Sequence, residues 1–179
     1  MKKIIAIAVL SAALTTSAFA ADNTTYVNIG LGSATYKNMG DLPNPGKFDL
    51  GIGYSFTPTL SAELSYHKFG DSTVVYIGSG SVTVSASSVT AAVVGSYPVN
   101  DQVSLLGKIG LASNKADASS TTGSSASVSK TSLYYALGGE YNINQKYAIR
   151  AQYEDFGDFE SATNPMSATA FGFSAIVKF

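Results

Sequence analysis

Residues 167–179 read SATAFGFSAIVKF, and their two alternating sets of positions differ sharply in character. Thr169, Phe171, Phe173, Ala175, Val177 and Phe179 make one set, largely apolar and aromatic. Ala168, Ala170, Gly172, Ser174, Ile176 and Lys178 make the other, mostly small. Side chains point to opposite faces with a period of two along a β-strand. A strand of this kind therefore carries an aromatic face that either a second protein layer or hydrocarbon must cover. An aromatic final residue also suits a strand that ends in the girdle at a membrane–water boundary.

The first twenty residues bear on that choice. Lys2 and Lys3 precede an apolar run over residues 4–14, and Ala18-Phe19-Ala20 follows as a small-x-small site. This order is that of a secretory signal peptide. The apolar run is shorter than the roughly 20 residues a membrane-spanning helix needs. The expected organisation is a signal peptide over residues 1–20 and one domain over residues 21–179.

Beyond residue 20 no apolar run is long enough for a helical span. Charged residues make up only 13% of the chain, about half the usual share of a soluble domain. There is no cysteine, so an exported chain of this size has no disulfide framework to lean on. The near-neutral balance, 11 basic against 12 acidic residues, gives no electrostatic footprint for nucleic acid. Hydrophobicity spread in alternation is the signature of a transmembrane β-barrel.

Eight alternating segments follow one another. They cover residues 25–37, 47–56, 60–69, 85–97, 103–113, 131–141, 147–155 and 167–179. The second is the clearest, with Phe48, Leu50, Ile52, Tyr54 and Phe56 opposite Lys47, Asp49, Gly51, Gly53 and Ser55. Connections after the second, fourth and sixth segments are tight. Those after the first, third, fifth and seventh are long. That asymmetry matches short periplasmic turns and longer extracellular loops, and an even count places both termini on the periplasmic side. Residues 70–84 read as a hairpin above the membrane. Residues 114–130, rich in Ser, Ala and Thr, read as a polar loop, and residues 156–166 as the last loop. The expected fold is an all-β, eight-stranded antiparallel up-and-down transmembrane barrel.

A lipid-facing Lys or Arg near the bilayer midplane costs about 2–4 kcal/mol, so the strand charges belong inside. Glu63, Lys108, Glu140 and Arg150 sit at mid-strand on the third, fifth, sixth and seventh segments. They are expected to pair across the interior, since an unpaired buried charge is strongly unfavourable. Such a network either fixes the barrel core or acts as a plug whose rearrangement opens a narrow ion path.

The segments TYVNIGLG, FTPTLSAELSYHKFGD, GSYPVNDQVSLLGKIGLA, GGEYNINQKYAIRAQYEDFGD and FGFSAIVKF resemble the OmpA-like family of small outer-membrane barrels. The resemblance covers nearly all of residues 21–179 and implies an ion-paired barrel interior. In that likeness Glu63, Lys108, Glu140 and Arg150 occupy the interior-cluster positions. The fourth strand offers only Thr90, Ala92 and Val94 inward, where the family's pattern has a lysine. The chain stops at Phe179, so the barrel domain alone is expected, without a peptidoglycan-binding domain. Phe179 itself resembles the terminal signal read by the outer-membrane barrel-assembly machinery.

Glu63, Ser65 and His67 share one strand face and raise the remote alternative of an outer-membrane lipid hydrolase. That face points inward, however, while a lipid substrate arrives from outside. Asp155, Asp158 and Glu160 match no calcium-loop spacing and read as a solvated acidic tip. Neither a metal site nor a cofactor is expected. The reading is a structural or surface-interaction barrel in the outer membrane of a Gram-negative bacterium. Its expected surroundings are outer-membrane lipid and lipopolysaccharide, with a host or envelope ligand at the extracellular loops. A low-conductance pore for ions or small solutes is the alternative.

Overall fold

The computed structural model describes residues 24–37, 44–76, 80–120, 125–159 and 165–179; the proposed signal peptide lies outside them. Eight strands form a closed barrel in chain order. They are β1 (Thr24–Lys37), β2 (Gly46–Thr57), β3 (Leu60–Tyr76), β4 (Gly80–Pro98), β5 (Val103–Ser120), β6 (Ser125–Asn142), β7 (Tyr147–Asp158) and β8 (Ser167–Lys178). Every neighbouring pair is antiparallel, and β1 closes on β8 from Tyr26↔Lys178 to Lys37↔Ser167.

The period-two pattern sets which way each side chain faces. In β2, Lys47, Asp49, Gly51 and Gly53 are buried while Phe48, Leu50 and Tyr54 are exposed. The same inversion runs round the barrel. Leu31 is 68% and Leu137 69% exposed, yet Glu154 and Asn114 are fully buried. Water would penalise a wall of Ile, Leu, Val, Phe and Tyr around a polar centre, because apolar area gains only by leaving water. Hydrocarbon reverses that sign. A closed ring also satisfies the main-chain groups that an open sheet edge would present to lipid.

The strands are unequal. β3 to β6 have 17, 19, 18 and 18 residues, whereas β2, β7 and β8 have 12 each. This corrects the sequence reading of residues 114–130 as a loop. β5 and β6 continue through that segment to Ser119↔Ser125, and Asn114 and Ala116 face inward and are buried. Alternating Ser, Ala and Thr form a ladder as readily as an amphipathic strand does, but without the polarity contrast that reveals one.

Residues 156–166 also depart from the expected loop. β7 continues to Asp158, with a bulge between Asp155 and Asp158 in its pairing with β8. Phe156, Phe159 and Met166 turn inward and are buried with Tyr36 and Phe69. Phe69 packs edge-on against Phe156 at 5.1 Å and Phe159 at 5.9 Å between ring centroids. An aromatic stack thus crosses the lumen at the end opposite the termini. Asp155 and Asp158 belong to β7 rather than to an acidic tip. Asp155 accepts from Tyr135 and from the Gly157 N–H, and Asp158 pairs with Lys130. Glu160 lies outside the described residues. Thr169, assigned to the outer set of β8, is only 5% exposed beside this bulge.

Candidate functional site: the ion-paired interior

Two layers of charge fill the lumen. In the layer nearer the termini, Glu63 on β3 is the hub. Its Oε1 accepts from Lys108 on β5, and its Oε2 accepts from Arg150 Nη1 on β7 at 2.8 Å. Tyr26 Oη donates to Oε2 at 2.9 Å, and Ser65 Oγ to Oε1 at 3.1 Å. Arg150 turns its other edge to Glu140 on β6, with Nη2 at 2.9 Å and Nε at 3.2 Å from the same oxygen. Lys178 on β8 donates to Glu140 Oε1 at 2.8 Å and to Asn142 Oδ1 at 2.6 Å. The four charges singled out in the sequence therefore meet in one chain of contacts, Lys108–Glu63–Arg150–Glu140. Lys178 and Tyr26 complete it. The inner position of Lys178 follows from strand parity, but its reach to Glu140 depends on how β6 and β8 stagger across β7.

The second layer lies toward the aromatic stack. Lys47 on β2 donates to Glu154 on β7 and lies 2.9 Å from Asp49 Oδ1. Tyr134 Oη donates to Glu154 Oε1 at 2.8 Å, and Ser174 Oγ to Asp49 Oδ2 at 3.3 Å. Lys47, Asp49 and Glu154 each face inward by simple alternation. Their meeting across the lumen was not legible, because cross-barrel neighbours are set by the stagger between strands rather than by sequence spacing.

Glu63, Ser65 and His67 do not assemble as a hydrolytic trio. Ser65 spends its hydroxyl proton on Glu63, while His67 Nε2 lies 3.0 Å from Thr90 Oγ1. A nucleophile needs its base within hydrogen-bond reach, and that contact is missing between Ser65 and His67.

The barrel geometry has a direct counterpart in the outer membrane protein beta-barrel domain family, whose pattern matches residues 6–179. The chain belongs to this family. It is thus an outer-membrane β-barrel, as the apolar wall and polar lumen require. Over 67 residues it is 45% identical to the attachment invasion locus protein of Yersinia pseudotuberculosis. That match covers 37% of this chain and spans only about a third of the relative, 36% of its length. The crystal structure of Ail, the attachment invasion locus protein of Yersinia pestis, in complex with the heparin analogue sucrose octasulfate superposes with a TM-score of 0.65 at 28% identity. It covers 88% of this chain and 99% of that one. Neisserial surface protein A gives a TM-score of 0.68 at 18% identity over 87% of this chain and 97% of its own, a likeness of fold.

Proposed function

We propose that this barrel acts at the bacterial surface, holding out a rigid β-sheet on which a macromolecular partner docks. One observation carries the reading. Among the described residues, β3 to β6 run past the rest of the barrel wall as a four-stranded sheet whose outer strands, β3 and β6, outlast their ladders with β2 and β7. The ladder between β6 and β7 ends at Tyr135↔Asp155, while β6 continues back to Ser125. The end of β7 still lies against Lys130 and Ser132, and at about 3.3 Å per residue residues 125–129 give roughly 16 Å of strand that no described strand flanks on that side. On the other edge β2 stops pairing at Lys47↔Phe69, yet β3 and β4 stay paired to Tyr76↔Gly80. Unpaired strand edges accept an added strand from another chain, with main-chain hydrogen bonds supplying affinity.

In this reading the open-edged sheet is extracellular and both termini are periplasmic. Residues 1–20 direct export, and Phe179 is read by the assembly machinery. The outer face meets outer-membrane lipid and lipopolysaccharide, and the protein is not an enzyme. Local charge does not favour a sulfated polyanion of the kind bound to the Yersinia pestis relative. Lys68, Lys115 and Lys130 each have an aspartate partner, in Asp71, Asp117 and Asp158. The Glu63 and Lys47 layers and the aromatic stack across the lumen support a closed core over a pore.

The test shortens the β5–β6 hairpin symmetrically. Deleting residues 117–127 and closing the ends with a two-residue turn keeps the register below, since Asp117 pairs with Ser127. Bacteria displaying the natural barrel should bind host cells or immobilised matrix proteins, and those displaying the shortened barrel should bind at least ~10-fold less, the equivalent of one 1.4 kcal/mol step. Equal binding by the two, with equal surface levels, overturns the reading.

A further inference from the structure

The chain contains a single histidine and no cysteine, and the fold places that histidine between two carboxylates. One ligand atom each from Asp49, His67 and Glu154 falls within 4.8 Å of the others. The residues come from β2, β3 and β7, and all three are buried. His67 is 2% exposed and is walled by the Phe156 ring at 4.8 Å. Its Nε2 is engaged with Thr90, whereas its Nδ1 has no hydrogen-bond partner and lies 4.0 Å from Glu154 Oε1. Donation from Nε2–H to the Thr90 oxygen leaves the lone pair on Nδ1, aimed at the carboxylates. An outer hydrogen bond of this kind is how metal-binding imidazoles are commonly held in orientation.

Charge balance decides what an ion at this place must displace. With a neutral imidazole, Lys47 balances only one of Asp49 and Glu154. The layer nearer the termini has the opposite surplus, with Lys108, Arg150 and Lys178 against Glu63 and Glu140. Buried charge without local compensation is costly, so a divalent ion matches Asp49 and Glu154 one for one only by taking the place of the Lys47 ammonium.

We propose that Asp49, His67 and Glu154 form a binding site for one divalent first-row transition-metal ion, with Zn²⁺ as the reference occupant. Imidazole nitrogen with carboxylate oxygens is a donor set for zinc and its neighbours, whereas Ca²⁺ and Mg²⁺ take oxygen ligands. Lys47 is the resident competitor, because its ammonium sits against the same two carboxylates that the ion would use. The ion enters as the barrel forms, since both ends of the lumen are packed by the aromatic stack and the Glu63 network.

The experiment refolds untagged residues 21–179 in lipid with Zn²⁺, removes free metal by dialysis and measures retained zinc by elemental analysis. The natural chain should hold one zinc per barrel and give visible cobalt bands when Co²⁺ replaces zinc. His67→Gln should retain less than about a tenth as much, having lost the one nitrogen ligand. Lys47→Met removes the competitor and leaves two carboxylates facing each other. Zinc should therefore raise its unfolding temperature more than that of the natural chain, a readout that holds even if His67→Gln fails to fold. Absence of retained zinc in the natural barrel overturns the proposal. So does equal retention by His67→Gln, equal retention of Ca²⁺, or a Lys47→Met barrel whose unfolding zinc leaves unchanged.

Discussion

Asn114 on β5 reaches past β6 to β7, where its side-chain amide donates to the main-chain oxygens of Phe156 at 2.7 Å and Asp158 at 2.9 Å. Ser132 on β6 donates to the same Asp158 oxygen at 2.7 Å. These bonds tie the end of β7 across the top of the lumen and hold Phe156 and Phe159 in the aromatic stack. Asn114→Ala deprives the Phe156 carbonyl of its side-chain donor in a buried setting. A loss of about 1–3 kcal/mol is expected, measured by urea unfolding in lipid bilayers. Asn114→Asp should do at least as much damage, because a carboxylate cannot donate to a carbonyl.

Gly157 sits between those two carbonyls with φ at 64°. An L-residue pays roughly 1–2 kcal/mol in that left-handed region. A Cβ there would also stand 2.8 Å from the Cβ of Ser132. Gly157→Ala is therefore expected to lower the unfolding temperature. The eight-stranded wall should remain intact, seen as unchanged β-structure by circular dichroism.

Glu63 and Lys178 should respond differently to loss of charge. Glu63 holds two buried cations, and Glu63→Gln leaves Lys108 without its carboxylate and Arg150 with Glu140 alone, at a cost of about 3–5 kcal/mol. Lys178 has a side chain 26% exposed and shares Glu140 with Arg150. Lys178→Met is expected to cost about 1 kcal/mol or less. Unfolding midpoints rank the two. Planar-bilayer recording is expected to be silent for the natural barrel, and ion-selective steps altered in Glu63→Gln would favour the pore reading instead.

Phe179 donates its main-chain N–H to the Thr25 oxygen at 2.8 Å, and its ring lies 6.0 Å from the Lys146 ammonium. Both contacts are local, so deleting Phe179 should barely change the stability of barrel refolded in lipid. In cells the same deletion is expected to reduce outer-membrane levels sharply, if the terminal ring is the assembly signal. Normal levels would remove that role.

Alternation in eight segments, clearest in residues 47–56 and 167–179, was enough to read the strands, most of their faces and the closure of the ring. It worked because Phe48 beside Asp49, or Phe173 beside Ser174, differ sharply in polarity. Where neighbours differ little, as in Ser113-Asn114-Lys115-Ala116, strand and loop look alike in sequence. Three aromatic residues were given no inward place in the sequence reading. Phe69, Phe156 and Phe159 point inward although lipid is the default destination for an aromatic residue in such a wall. Phe69 and Phe156 do so in phase with His67 and Glu154, and the bulge after Asp155 shifts the phase so that Phe159 joins them. In the interior, parity identified Glu63, Lys108, Glu140 and Arg150 as inward. It could not bring Lys47 to Glu154, since that meeting requires the stagger of the whole ring, whereas Asp49 and His67 face each other within the β2–β3 hairpin.

The seam between Thr24–Lys37 and Ser167–Lys178 joins the earliest strand to the latest. Synthesis delivers Ser167–Lys178 well after Thr24–Lys37, so the ring cannot shut until all eight strands have been made. Until β8 arrives, β1 offers an unmatched row of main-chain groups, and every apolar outward side chain lacks its solvent. Such a chain needs an escort that keeps it from aggregating and a catalyst that brings its two ends together in lipid. Closure is thus a single late event. A defect in either terminal strand should leave an unfinished molecule for proteases, rather than a slightly weakened barrel.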